Sequence, residues 1–205
     1  MHAYATDATD RRTVPTILAT IAIALAFLLS RAVEWCGYQP AWYIDAPSVL
    51  GFYALLYLWF DRFGWRWRVR SFRFSRIPDL RGTWKATIKS SHPDPGRATT
   101  TLTGSAQIRQ TWTKLSIRLR FGSSTSCSTM GALNTEDSPD FGLNYEYLNE
   151  PDPHGRETMN MHRGTSHLRP SLDGRALDGD YYTGRGRMNF GSLSLELVSR
   201  RLKSI

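Results

Sequence analysis

The stretch RFGWRWRVRSFRFSR, residues 62–76, divides the chain into two parts of different character. It carries six arginines and no acidic residue, and aromatic side chains are interspersed among the arginines. Arginines and aromatic rings directly behind an apolar segment are typical of a membrane-surface anchor, because the rings sit among lipid headgroups while the guanidinium groups stay on the cytoplasmic side. A basic linker that binds nothing is the alternative, but it would not need the aromatic rings. We therefore predict an anchor that comprises Trp65, Arg66, Trp67, Arg68 and Arg70.

Two apolar runs precede this anchor and predict membrane-spanning helices. Residues 14–33 suffice to cross a membrane, since a helix rises ~1.5 Å per residue and a hydrocarbon core is ~30 Å thick. Residues 47–60 form a shorter run, for which a buried helix of a soluble domain is the alternative. Two helices without a polar face have nothing soluble to pack against, so we favour a transmembrane hairpin. Arg11 and Arg12 precede the first run and the connecting loop is acidic, so the flanking positive charge predicts that both termini are cytoplasmic.

The chain after the anchor alternates polar and apolar residues with the period of two that is typical of β-strands. Polar breaks rich in glycine and proline separate the alternating segments. Such spacing is typical of a sandwich or a closed barrel, and we predict an all-β, lipocalin-like, up-and-down β-barrel of about eight strands, preceded by two transmembrane helices. The predicted strands are residues 81–91, 100–110, 114–121, 123–133, 141–148, 157–168, 175–182 and 187–200. The predicted domains are an N-terminal cytoplasmic tail (1–13), the helix hairpin (14–63), the basic juxtamembrane linker (64–77) and a cytosolic barrel (78–205).

One end of the predicted barrel carries a short motif. Gly82-Thr83-Trp84 opens the first strand, and Arg200-Arg201 ends the last. A Gly-x-Trp start with a late arginine resembles the closed end of lipocalin-type barrels, in which the indole plugs the floor and the guanidinium stacks on it. The motif therefore predicts a structural role for Trp84 rather than contact with a ligand.

The other end of the barrel is predicted to be polar. Period-two alternation places tyrosines, a threonine and an asparagine of the later strands on inward-facing positions, together with arginine. Guanidinium pairs with phosphate through two hydrogen bonds, and tyrosine offers a stacking face and a hydroxyl, so this end suits an anion with flat rings. The alternative is that the arginines lie in a solvated turn and the tyrosines in the core, and a β-bulge would reverse the face. The predicted ligand-binding residues are Tyr145, Tyr147, Arg163, Tyr181, Thr183, Arg187 and Asn189.

Several classes of function find no support in the sequence. The five histidines are scattered, and no nucleophile elbow, phosphate-binding loop or zinc-ligand spacing is present, so we predict neither an enzyme nor a metal or cofactor site. The net charge is +8, but the positive excess beyond residue 77 is dispersed, which argues against duplex nucleic acid as a partner. Small anionic ligands and anionic lipid remain open. The two cysteines lie in segments of different character, so a disulfide framework is not expected.

The two apolar runs, the basic aromatic segment and a strand-rich tail that opens on LRGTWKATIKSS (80–91) form an uncommon combination. It resembles the two-transmembrane β-strand-rich effectors of bacterial CBASS anti-phage systems, a SMODS-associating family with a STING-like role. The resemblance implies that the barrel is a receptor for a cyclic dinucleotide made by a cognate nucleotidyltransferase. It further implies that binding drives homo-oligomerisation, that the helices then disrupt the lipid of the inner membrane, and that the infected cell dies or stops growing before phage matures.

Two other functions remain open from the sequence. A membrane-tethered, lipocalin-like carrier of a lipid or other apolar ligand would be favoured by a wholly apolar barrel interior. A barrel that serves only to oligomerise the chain would associate independently of any small molecule.

Overall fold

The computed structural model describes residues 1–38, 42–69, 72–91, 100–122, 124–135, 141–153, 160–184 and 188–202. The chain forms two compact units: residues 8–76 make one, and residues 1–7 join residues 77–205 in the other. In chain order the elements are β1 (His2–Ala3), α1 (Asp10–Trp35), α2 (Trp42–Arg62), a 3₁₀ turn (Gly64–Arg66), β2 (Arg68–Val69), β3 (Phe72–Arg73), β4 (Gly82–Ser90), β5 (Thr100–Gln110), β6 (Lys114–Phe121), β7 (Ser124–Asn134), β8 (Gly142–Pro151), β9 (His162–Pro170), β10 (Ala176–Thr183) and β11 (Phe190–Ser199).

The helical unit packs α1 along α2. The buried face of α1 is a stripe with a spacing of four residues, which brings side chains one above the other on a helix; it consists of Val14, Leu18, Ala22 and Ala26. The rest of the helix exposes large apolar side chains, including Ile17, Ile23, Phe27 and Leu28. Within the described part of the chain, α1 is the one helix that is long and apolar enough to cross a membrane. α1 starts four residues before the predicted span and α2 five residues before the predicted second run.

The segment after α2 is folded rather than an extended linker. The 3₁₀ turn follows α2, and β2 and β3 then form a small antiparallel hairpin. Its end is fixed to the start of α1, because the Asp10 carboxylate accepts hydrogen bonds from the Ser75 hydroxyl and, at 3.2 Å, from the Arg76 backbone N–H. The basic segment is therefore part of the helical unit.

The remaining strands close into an antiparallel barrel. Each strand from β4 to β10 pairs with the next strand in the chain, and β11 pairs back onto β4. The barrel therefore has eight strands in up-and-down order. The predicted eight-stranded barrel is confirmed, and every predicted strand overlaps an observed one. The barrel interior holds the core, which includes Trp84, Ile108, Ile117, Leu143 and Leu195.

One end of the barrel, at which β4 begins and β11 ends, is filled by side chains; we call it the closed end. Trp84 is fully buried there, and its indole N–H donates to the Leu80 carbonyl at 3.1 Å. The Arg200 guanidinium donates to the carbonyl oxygens of Asp79 (2.6 Å) and Gly174 (3.2 Å), which ties two loops together. Trp84 therefore has the structural position that the Gly-x-Trp motif predicts.

Residues 1–7 belong to the barrel wall. β1 pairs antiparallel with β6, and Ala5 forms a parallel bridge to Ala132 of β7. The predicted tail of residues 1–13 is thus not one element, since residues 1–7 fold with the barrel and α1 begins at Asp10. A two-residue strand is too short to show alternation, which is why the sequence pattern gave no sign of it.

Candidate ligand-binding cavity

A cavity of about 90 Å³ lies inside the barrel at the end opposite Trp84, which we call the open end. It is lined where β4 ends at Ser90, where β6 ends at Phe121, where β7 starts at Ser124 and where β9 starts at His162. A single water needs ~10–15 Å³, so the space holds several waters or one small chemical group. Because the barrel is up-and-down, every second connection between strands lies at this end, around one opening.

Three tyrosines form the aromatic part of the lining. Tyr145 and Tyr147 are two residues apart on β8 and both face inward, with ring centroids 6.1 Å apart, and Tyr181 faces inward from β10. Glycines of neighbouring strands provide the space for two of the rings. A Cβ atom at Gly164 would overlap the Tyr147 hydroxyl oxygen, and one at Gly191 would lie 3.0 Å from Cε1 of Tyr181.

Hydrogen bonds hold the polar part of the lining in place. The backbone N–H of Asn189 donates to the Thr183 Oγ1 at 2.7 Å, and the backbone N–H of Thr183 donates to the Asn189 carbonyl at 2.8 Å. These bonds join the end of β10 to the start of β11 at the rim of the cavity. On the other side of the cavity, across β7 and β8, the Ser126 hydroxyl donates to Oδ1 of Asn149 at 2.8 Å and so orients that amide.

The described lining of the cavity consists of uncharged polar, aromatic and apolar side chains and one histidine. It contains no lysine, arginine, aspartate or glutamate among the residues that the structure describes, and His162 is its one imidazole. Burial raises the pKa of Tyr145 to about 12, from an ordinary value of 10.0, and the nearby Ser166 hydroxyl acts in the opposite direction. Tyr145 is therefore a neutral phenol at physiological pH. The tyrosine rings of the lining can stack against flat rings, and its polar groups can form hydrogen bonds. Positive charge that compensates an anion has to come from residues outside the described lining.

The structure brings most of the predicted ligand-binding residues together. Five of them line the cavity: Tyr145, Tyr147, Tyr181, Thr183 and Asn189. Arg163 does not join them, because it faces outward on β9, where its side chain is 73% exposed and its Nη1 lies 3.4 Å from Oε1 of Glu146. Arg187 lies outside the described residues.

Several lining residues were missed in the sequence. The polar ones are Ser90, Ser124, Ser126, Asn149, His162 and Ser166. Asn149 could have been found, because it continues the inward positions of Tyr145 and Tyr147 by two residues. The residues on β7 were hidden by a bulge between Ser128 and Met130, which breaks the alternation in that strand.

The predicted membrane anchor is only partly exposed. The Trp67 side chain is 54% exposed and packs edge-on against Trp59, with ring centroids 5.2 Å apart. Arg66 donates from Nη2 to the Arg62 carbonyl at 2.9 Å, and Arg68 is exposed. Trp65 differs from the prediction, because it is only 2% exposed and its ring therefore packs inside the protein instead of facing lipid headgroups. Arg70 lies outside the described residues.

A closed barrel with an aromatic, hydrogen-bonding cavity at one end, joined in the same chain to a membrane helix, defines a membrane-tethered binding protein. Two family models match the chain: "Cap15, cyclic dinucleotide receptor domain" over residues 75–197 and "Cap15, TM helices" over residues 12–66. The chain belongs to the Cap15 family. It is also similar to "CD-NTase-associated protein 15" of Yersinia aleksiciae, with 29% identity over 178 residues that cover 84% of this chain and 83% of the relative.

Family membership confirms the resemblance drawn from the sequence. The chain is a membrane protein of the CBASS effector type, with a receptor domain in the barrel and TM helices before it. The matched family is described as a receptor and not as a catalyst.

Proposed function

We propose that the barrel binds a cyclic dinucleotide at its open end, and that binding drives self-association of the chain and disruption of the inner membrane by the helices. The observation that carries this proposal is the cavity, in which three tyrosines and a set of hydroxyl and amide groups converge at one end of a barrel of this family. Infected bacteria would then die or stop growing before phage matures. The signal would come from a cognate nucleotidyltransferase.

The size and polarity of the cavity suggest how the ligand sits. Pockets that enclose a drug-sized ligand measure roughly 300–1,000 Å³, so about 90 Å³ suits one part of a cyclic dinucleotide. We place one nucleobase in the cavity, where it stacks on tyrosine and meets hydroxyl and amide groups. Stacking of a base on an aromatic side chain contributes about 1–3 kcal/mol.

The two phosphates then remain at the opening, where positive charge is required. The connection between β10 and β11 contains Arg185 and Arg187 in sequence, and it follows directly on Thr183, which lines the cavity. Arginine binds phosphate through paired, charge-assisted hydrogen bonds, which suits this role. We propose Arg187 as the phosphate-binding residue of the site.

An apolar cargo fits the cavity less well. Ser90, Ser126, Asn149 and Asn189 would lose hydrogen bonds to water without compensation if a lipid chain filled the space. The polar lining therefore favours the nucleotide over the lipid-carrier alternative.

We propose that α1 and α2 both cross the bacterial inner membrane, with both termini and the barrel in the cytoplasm. Large apolar side chains are exposed on α1 and, at Leu50, Leu55 and Leu58, on α2 as well. The arginines after α2 favour the cytoplasmic side, and Trp67, Arg66 and Arg68 serve as the surface anchor together with Arg70.

Assembly requires a difference in affinity between two states. The ligand shifts the equilibrium only if it binds the assembled chain more tightly than the dispersed chain. Gathering of the helix pairs would then place many apolar helices in one patch of membrane.

Reconstituted vesicles test this function directly. The full chain is inserted into vesicles that contain a fluorescent dye, and cyclic dinucleotides are added one at a time. We expect one of them to release dye, and a linear dinucleotide of the same bases to release none. Dye release that is equal with and without every cyclic dinucleotide would contradict a ligand-triggered effector.

A further inference from the structure

The barrel wall has a gap that its own neighbouring strands do not fill. β6 and β7 pair over only four rungs, from Arg118 opposite Cys127 to Phe121 opposite Ser124. Toward the closed end the two strands separate, and residues 1–7 lie between them. We call the space bounded by residues 114–117 and 128–135 the β6–β7 groove, and its occupant the 1–7 segment.

The groove binds the 1–7 segment as an added strand with one buried anchor. His2 and Ala3 pair with Leu115 and Lys114 of β6. On the other side, the Ala5 N–H donates to the Gly131 carbonyl at 3.0 Å, and the Ala5 carbonyl accepts from the Leu133 N–H at 2.9 Å.

Side chains add specificity to this backbone pairing. Tyr4 is buried and its hydroxyl donates to the Trp112 carbonyl at 2.7 Å. Oδ1 of Asp7 accepts from the Thr135 N–H at 2.8 Å, and the His2 Nε2 lies 2.8 Å from the Ser128 hydroxyl. Strand addition of this kind takes affinity from the backbone and specificity from side-chain pockets.

The order of the chain makes this docking unusual. The whole helical unit, residues 8–76, lies in sequence between the 1–7 segment and the strands that receive it. The hydrogen bonds described above join the segment to residues 112–135, and Ala8 and Thr9 connect it to α1. The same pairings and hydrogen bonds would be available to the 1–7 segment of another copy.

We propose that the β6–β7 groove is a docking site for the 1–7 segment of a neighbouring copy, and that strand exchange through this groove links barrels when the chain assembles. This inference rests on the self-association in the proposed function. Exchange preserves each contact described above, so its cost falls on the short connection to α1, while clustering in a membrane raises the local concentration of neighbouring segments. Each copy would donate one segment and receive another, which closes a dimer if two copies exchange reciprocally and forms a ring or a longer array if each segment passes to a further copy.

Cysteines on separate chains test the exchange. Ala3 and Lys114 are both exposed and are Cα partners in an antiparallel pair, a spacing that falls within the range of a disulfide. Both native cysteines are first removed by Cys36→Ser and Cys127→Ser. Two variants of this background are then co-expressed, one with Ala3→Cys and the other with Lys114→Cys. Disulfide formation between them in excess of random collision requires that a segment enters the groove of another copy.

The matched controls fix the meaning of each result. A single chain with both Ala3→Cys and Lys114→Cys shows that the pair can form a disulfide, and Thr87→Cys with Thr103→Cys on separate chains measures random collision between barrels. In the presence of the cyclic dinucleotide that triggers assembly, we expect at least tenfold more disulfide-linked dimer from the co-expressed Ala3→Cys and Lys114→Cys chains than from the co-expressed Thr87→Cys and Thr103→Cys chains. Equal yields, in a sample that light scattering shows to be assembled, would overturn exchange and leave the proposed function standing.

A locked segment provides a second, independent readout. Oxidation of the single chain with cysteines at 3 and 114 holds the segment in its own barrel, and neither position lines the cavity. We expect this chain to bind the ligand as before but to lose ligand-induced assembly, which reduction should restore. Assembly of the oxidised chain would overturn the proposal, whereas loss of assembly in the unmodified chain would remove the self-association on which it depends.

Discussion

At the level of single residues, the structure places one of the two arginines predicted for the pocket, and Arg187 stays a prediction. Arg163 faces solvent on β9 beside Glu146, because it alternates with His162, Gly164 and Ser166, which face the interior. The alternation itself could have excluded Arg163 from the sequence alone. The tyrosines were predictable for the same reason, since uninterrupted alternation in β8 and β10 fixes which side chains face inward.

Arg187→Ala is expected to weaken binding of the cyclic dinucleotide by roughly 10- to 100-fold, because a charge-assisted hydrogen bond contributes about 1.5–3 kcal/mol. The melting temperature should hardly change. Arg163→Ala is the matched control, since it also removes one arginine but from the outer face, and it should leave affinity within about twofold. Isothermal titration of the full chain measures both. Equal losses in the two variants would mean that net charge, and not a phosphate contact, governs binding.

The raised pKa of Tyr145 predicts that the protein loses stability at alkaline pH. The unfolded tyrosine releases its proton near pH 10, but the buried side chain does so only at about 12. Between these values the unfolded state binds fewer protons, so the free energy of unfolding falls as pH rises, by at most about 3 kcal/mol. Tyr145→Phe should remove this part of the decline, whereas Tyr182→Phe, on a side chain that is 57% exposed, should not. Denaturant unfolding of the unmodified chain and both variants at pH 9, 10 and 11 measures this. If the free energy of unfolding falls equally with pH in all three proteins, the assignment to Tyr145 is contradicted.

At the level of elements, the eight barrel strands were far more predictable than β1 and the β2–β3 hairpin. Eight strands with regular alternation are recognisable because each buries one face, as Trp84, Ala86 and Ile88 of β4 illustrate. β1 was not predictable, since its two residues are held by the gap between β6 and β7 and not by a pattern of their own. The β2–β3 hairpin was missed because aromatic and basic residues in the anchor dominate its pattern.

Gly164→Ala is expected to destabilise the barrel by about 1–3 kcal/mol, as overpacking in a filled interior does. The added methyl group would overlap both the Tyr147 hydroxyl and the Tyr182 carbonyl oxygen. Gly184→Ala is the control, because its Cβ would have the Arg163 carbonyl oxygen at 3.4 Å as its one near neighbour. Thermal unfolding of both variants tests this; an unchanged melting temperature for Gly164→Ala would show that β8 and β9 can separate at little cost.

At the level of the whole molecule, the two free cysteines report on topology. Cys36 follows α1 and Cys127 is exposed on the barrel, so the proposed arrangement puts them on opposite sides of the membrane. A membrane-impermeant maleimide applied to spheroplasts should label a chain with Cys127→Ser and spare one with Cys36→Ser. After lysis both should react. Labelling of Cys127 in intact spheroplasts would place the barrel outside the cytoplasm and reverse the orientation.

The central claim is that the cavity at the open end of the barrel is a receptor site for a cyclic dinucleotide. Calorimetric titration of the purified full chain, in detergent and at two salt concentrations, with a panel of cyclic dinucleotides and their linear counterparts, tests it most directly. We predict that one cyclic dinucleotide binds saturably with one site per chain, more weakly at higher salt, and that its linear counterpart binds far less. A folded chain that binds no member of the panel, or that binds linear and cyclic forms equally, would contradict the claim.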